Sequence, residues 1–243
     1  MLTPLYIKEA TSFAFNNSSL KDEKIIANNL IGTSDINKCY LNNCLIEACG
    51  KNSVIKISDG KIVNSLLQTD GEFLLVDNVI ENSELQAKSK LHIKHGVLKD
   101  SFIRLSSGVS LLLNGVESRS VDIDSMGEHL SGLSINGLLV DCVLRGLVIS
   151  SGVVKAIIYS SVLRSCLFEN THLEDVIINK CTLQKVVFVN CNLRRVTFSH
   201  CNIVDSPLVL ENCDVMGAHF LNMSKSNVNF INCYGAEKVC FSL

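Results

Sequence analysis

The chain has 243 residues, 47% of them hydrophobic, with 22 basic against 24 acidic residues and a formal net charge of −2. That is enough apolar material for a continuous core, which excludes a disordered chain, and too little charge bias for a nucleic-acid surface. Trp is absent and only 4 Tyr occur, so the aromatic platforms that hold sugars are scarce.

Residues 1–29 differ from the rest. Thr3 before Pro4 matches a helix cap and first helical position, with Leu5, Tyr6, Ala10 and Phe13 able to form one apolar face. Ser19 with Asp22 and Glu23 predicts a second short helix through Ile25 and Ile26. The expectation is a short N-terminal helical cap, 1–29, on a single domain, 30–243, because an uncovered first coil would leave strand edges open. The Ser, Thr and Asn content of the first nineteen residues is also similar to leaderless secretion segments of bacterial effectors. No secretory signal or apolar run long enough for a membrane span is found, so the expected location is cytoplasmic. Secretion into a host cell without a cleaved signal peptide is the alternative.

From about 30 to 130, turn markers recur. Gly60, Asn78, Gly96, Gly115 and Gly137 follow one another at steps near twenty, and Ser65, Ser83, Ser101, Ser120 and Cys142 keep the same steps. Ile57, Leu75, Ile93 and Leu112 each sit three residues before a marker and predict one stacked apolar column. Asn64, Asn82, Asp100 and Asp141, with Arg119 as the exception, suit a corner, where Asn and Gly tolerate a left-handed backbone. The segment 122–132 interrupts the pattern. Its Asp122, Asp124, Glu128 and His129 could bind a divalent ion or exchange protons, but no spacing there is diagnostic, and an exposed loop is the plainer reading.

From Leu133 the beat is five residues: Leu133, Leu138, Val143, Val148, Val153 and Ile158 lead into Leu163, Phe168, Leu173, Ile178, Leu183, Phe188, Leu193, Phe198 and Ile203. Two residues before each of the last nine stands Ser161, Cys166, Thr171, Val176, Cys181, Val186, Cys191, Val196 or Cys201, none larger than Val. A period of five fits neither a helix nor an alternating strand, so each unit reads as one short side of a square coil, four units to the turn. Both sets point inward, the small ones because the interior must close at near-crystal density. Residues twenty apart then stack about 4.8 Å from one another, Phe168 under Phe188 and Cys181 under Cys201. After Ile203 the beat slips over 206–211, which holds Pro207, and resumes at Val215 and Phe220.

The triplets Cys191-Asn192-Leu193, Cys201-Asn202-Ile203 and Cys213-Asp214-Val215 resemble those of pentapeptide-repeat proteins. The resemblance implies an all-β fold, a right-handed parallel β-helix of quadrilateral section. The 11 Cys, odd in number and mostly on small inward sites, read as free buried thiols in a reducing compartment.

Neither a Gly-rich phosphate motif nor a Gly-x-Ser-x-Gly elbow occurs, so no catalytic residue, cofactor or metal ligand is assigned. The expected function is a non-catalytic scaffold that binds another protein, in one form a bacterial effector acting on a host or cellular protein. Its candidate contact surface is Lys180, Lys185, Arg194 and Arg195. A carbohydrate-active β-helix enzyme is one alternative. Another is the DNA mimicry by which some pentapeptide-repeat proteins bind topoisomerases, but that role needs a markedly acidic surface, and stacking sets Glu174 by Arg194 and Asp175 by Arg195. At the C-terminal end, Val239, Phe241 and Leu243 lack a polar helix to cover them, which predicts a homodimer through that coil. Folding back to cap the coil is the rival outcome.

Overall fold

Strands about twenty residues apart lie one above another in parallel ladders, forming an all-β solenoid of about 11 turns. The computed structural model describes every residue except 1–3, 9–11, 29, 31, 51, 126, 150 and 243. Eleven described strands, from Pro4–Lys8 to Asn202–Val204, make a first sheet. Sixteen make a second sheet that bends around a corner and so supplies two sides, and six make a third, from His129–Leu130 to Val228–Ile231. In one coil, Val162–Arg164, Leu167–Glu169, Thr171–His172 and Ile177–Asn179 form the four sides, and Thr182–Gln184 begins the next over Val162–Arg164.

The corners explain the polar punctuation. Where the second sheet turns into the first, Asn43, Asn64, Asn82, Asp100, Ser120, Asp141, Ser160, Lys180 and His200 all have φ between 47° and 53°. This left-handed conformation is least unfavourable for Asn and Asp among residues with a Cβ. Each corner N–H donates to a carbonyl of the next coil, as from Asn82 to Lys99 at 3.1 Å and from Asp100 to Arg119 at 3.0 Å.

Behind that corner runs a buried serine ladder. Ser65, Ser83 and Ser101 each donate from the hydroxyl to the carbonyl two residues back, at 2.7 Å. Their oxygens accept the N–H groups of Cys44, Ser65 and Ser83 at 3.1, 3.1 and 3.2 Å. Ser83→Ala therefore leaves the Ser65 N–H unpaired in the interior and is expected to cost about 1–3 kcal/mol. Urea unfolding checks this, and a loss below about 0.5 kcal/mol would show that the ladder does not satisfy that donor.

The inward positions of the regular stretch are as expected. Eight of its nine centres, from Leu163 to Phe198, are buried and Ile203 is half-buried, while all nine small positions from Ser161 to Cys201 are buried. Phe168 stacks on Phe188 with ring centroids 4.9 Å apart. All 11 cysteines are free, and burial pushes the Cys166 thiol up to about 11.

The N-terminal helical cap is corrected. Pro4–Lys8, Ala14–Asn16, Ser19–Lys21 and Lys24–Asn28 are strands, and the ladder from Pro4–Lys8 through Lys24–Asn28 to Leu45–Ala48 crosses residue 30 without a break. Asp22 is there for a different reason than a helix's first turn: it is a left-handed corner, φ 58°, and its N–H donates to the Asn42 carbonyl at 3.0 Å. Of the residues assigned to the cap, Thr3 and Ala10 lie outside the described residues.

Register corrects two further expectations. Leu112, Gly115 and Ser120 are each one residue early, since Leu113 pairs with Ile93, Val116 with Gly96, and Val121 takes the serine column's place. Glu84 pairs with Phe102 but Lys90 with Ser110, so the coil gains two residues between Leu105 and Ser110. Ser120 is then the corner residue, which removes the Arg119 exception. Leu138, Val143, Val148 and Val153 do not point inward; Leu139, Leu144, Ile149 and Val154 are the buried residues. Here the second sheet's two sides run as single strands, Gly132–Val140 and Gly152–Tyr159, so strict alternation governs and Val154, Ala156 and Ile158 all face inward.

The section is also not square throughout. The third sheet begins only at His129, and earlier coils pass from first to second sheet through short turns, as between Leu66–Thr69 and Glu72–Glu81.

Candidate protein-interaction surface

The four candidate cations lie on three edges of the rod. Lys180, Lys185 and Arg195 occupy left-handed corners, with φ of 53°, 51° and 54°. Lys180 and Lys185 flank Thr182–Gln184 of the first sheet, while Arg194 and Arg195 stand where the second sheet bends. No one side therefore presents all four.

Three of them are engaged within the chain. Arg195 donates from Nε to Asp175 at 2.8 Å and from Nη2 to Asp175 and Glu174 at 2.9 and 2.7 Å. This hydrogen-bonded guanidinium holds the Asp175 carboxyl below its usual range. The expected Asp175–Arg195 pair forms, but Glu174 also goes to Arg195, and Arg194 approaches Asp214 at 3.6 Å. Lys180 donates to the Tyr159 hydroxyl at 3.0 Å and lies 5.4 Å from its ring centroid. Exposed pairs like these are screened by solvent and add little to stability.

Outward apolar columns are the feature that charge did not reveal. On the third sheet the pairings Val148↔Leu167, Leu167↔Val187 and Val187↔Val209 build a half-buried stripe, ended by His129 and Asn229. On the second sheet Leu138, Ile157 and Ile177 form another column, with Ile157 47% and Ile177 40% exposed. Apolar character alone does not distinguish an outward Val from an inward one. A sequence signal does exist: with Phe168 and Phe188 inward, alternation turns Leu167 and Val187 outward.

The remaining candidates are placed as follows. Asp122 and Asp124 lie on a first-sheet strand, with Asp122 3.5 Å from Arg145. His129 starts the third sheet, and among the described residues no group of three or more His, Cys, Asp or Glu could hold a metal ion. At the C-terminal end Cys240–Ser242 pairs with His219–Leu221, and the half-buried Phe241 stacks on Phe220 at 5.0 Å. Val239 is also half-buried, and Leu243 lies outside the described residues. No described helix is long and apolar enough to cross a membrane.

The fold is an all-β parallel solenoid of about 11 turns. No protein-family model matches the chain, and no curated protein matches it. Among solved structures it is similar to trypsin-treated QnrB1, a plasmid-mediated fluoroquinolone resistance protein, at 11% identity over 95% of this chain and 89% of that one, with a TM-score of 0.34. It is also similar to HetL from the cyanobacterium Nostoc, a pentapeptide-repeat protein involved in heterocyst differentiation regulation. That likeness has 10% identity over 95% of this chain and 84% of that one, with a TM-score of 0.32.

Proposed function

We propose that the chain is a non-catalytic scaffold that binds another protein, and that the contact is the side carried by the third sheet. The observation that carries this reading is the stripe Val148, Leu167, Val187 and Val209. Its backbone groups are already spent in parallel ladders, so a partner meets a preorganised row of side chains and little ordering cost is added on binding. Four rungs at about 4.8 Å span roughly 14 Å, the scale of a hot-spot cluster. Lys185 stands at the corner between this side and the first sheet, where it can meet a carboxylate at the rim.

The acidic surface that DNA mimicry requires is not assembled, because bases on neighbouring coils answer the acids: Lys56 with Asp35, Lys61 with Glu81, Arg104 with Glu84. Eleven free thiols suit the reducing interior of a cell. An effector role places that interior in a host, and a translocation reporter fused to the chain tests it. End-to-end pairing through Val239, Phe241 and Leu243 is a separate proposal, tested by sedimentation of Phe241→Glu.

For the scaffold itself, affinity capture with the unmodified chain is compared with Leu167→Glu, Val187→Glu and Lys185→Glu. Loss of one specific protein with the first two, weaker retention with the third, and unchanged melting in all three are expected. Equal recovery with every variant would reject the third sheet as the contact.

A further inference from the structure

We infer that the second sheet's flat side, centred between Ile157 and Ile177, binds a second copy of the chain face to face with the rods antiparallel. The outward column there runs Glu117, Leu138, Ile157, Ile177, Thr197, His219 in successive coils. Its middle is apolar and its ends are polar, with Glu117 paired to Arg119. An exposed apolar patch bounded in this way marks a contact surface.

The charge pattern selects the occupant. A twofold axis lying along the strands, midway between the Ile157 and Ile177 coils, keeps each residue in its own column and reverses the order of coils. Ile157 then faces Ile177 of the second copy, Leu138 faces Thr197, and Glu117 faces His219. At the bend of the second sheet, exposed Lys155 faces the Glu174–Asp175 turn, which carries the acids of that column. Asn136 and Gly137, one coil from Lys155, face the Arg195 corner. Each contact occurs twice by symmetry, and at that turn two carboxylates outnumber the one Arg195 guanidinium they bind, so Lys155 meets net negative charge. Rotation about an axis parallel to the rod instead would pair Asp175 with Lys180, but it would set Arg195 against His200 and leave Lys155 opposite Ser160, so the loss of affinity in Lys155→Asp separates the two arrangements. The face covers six coils, five spacings of about 4.8 Å or roughly 24 Å, at the small end of specific interfaces, so dissociation in the tens of micromolar is expected.

Sedimentation equilibrium of the full chain from about 1 to 500 µM tests the inference. The unmodified chain should dimerise, and Ile177→Glu should abolish the dimer without changing the melting temperature. Lys155→Asp should weaken it at least tenfold, because Lys155 has no ion-pair partner within the chain among the described residues. Asp175→Lys alone should weaken it as well. An equimolar mixture of Lys155→Asp and Asp175→Lys should recover a heterodimer of near-native affinity, since opposite charges again face each other in both symmetry-related places. A monomer throughout the range overturns the inference. So does a dimer indifferent to Ile177→Glu, one lost only in Phe241→Glu, or a mixture no tighter than its components. Leu167→Glu should leave this dimer intact, which separates its failure from failure of the third-sheet contact.

Discussion

Phe188→Asp is expected to abolish stable folding of the coils around it. Phe188 is fully buried, stacked on Phe168 at 4.9 Å and edge-on to Phe198 at 6.3 Å. Removing the ring forfeits about 3–5 kcal/mol of packing, and the carboxylate adds several kcal/mol more because nothing in the apolar column can pair with it. The sum is comparable to the whole stability of an ordinary domain, about 5–15 kcal/mol. Lys185→Asp, three residues away, should shift stability by less than about 0.5 kcal/mol. Lys185 is an exposed corner with φ 51°, a conformation Asp tolerates at least as well as Lys. Because coils contact mainly their neighbours, hydrogen exchange in Phe188→Asp should be fastest near residues 160–220 and spread outward from there. Equal melting temperatures for the two variants would refute the inward assignment.

Gly96→Ala should cost about 3 kcal/mol or more. Gly96 has φ 121°, and a Cβ there would lie 2.3 Å from the Asn78 carbonyl oxygen and 3.0 Å from its nitrogen. Asn78 cannot yield. Its buried side chain donates to the carbonyls of Ile57 and Val76 at 2.8 and 3.0 Å and accepts the Gly60 N–H at 3.0 Å, which ties two coils together. Gly108→Ala is the internal comparison. Gly108 also has a positive φ, 77°, but open space surrounds its Cβ position, so only the backbone preference, about 1 kcal/mol, is lost. Denaturant unfolding of the two variants measures the difference, and equal losses would mean that close approach to Asn78 is not what requires glycine.

Between 161 and 203 the inward and outward positions were legible from residue order alone. Those coils have almost constant length, so a five-residue beat in the chain becomes a five-residue beat in space, and Cys181 falls under Cys201 without further information. The free thiols were legible for the same reason, as small residues at inward sites. Coil length is what the residues did not announce elsewhere. Two extra residues between Leu105 and Ser110 displace Leu112, Gly115 and Ser120 from their expected columns, and a one-residue slip in a strand turns every side chain to its other face. Farther on, steps of nineteen residues, from Leu139 to Ile158 and from Leu144 to Leu163, shift the beat by one, which is why Leu138 and Val153 face outward while Leu139 and Val154 are buried, and hence why an apolar patch exists outside the core. The N-terminal strands were hidden because Ser, Asp and Pro serve helix caps and solenoid corners alike. Only pairing of Pro4–Lys8 and Lys24–Asn28 with the coils above separates the two. The residues themselves determined a stacked apolar solenoid. Its register, its change of section at His129 and the distribution of Lys180, Lys185, Arg194 and Arg195 over three edges were decided by hydrogen bonds between residues about twenty apart, which no local pattern encodes.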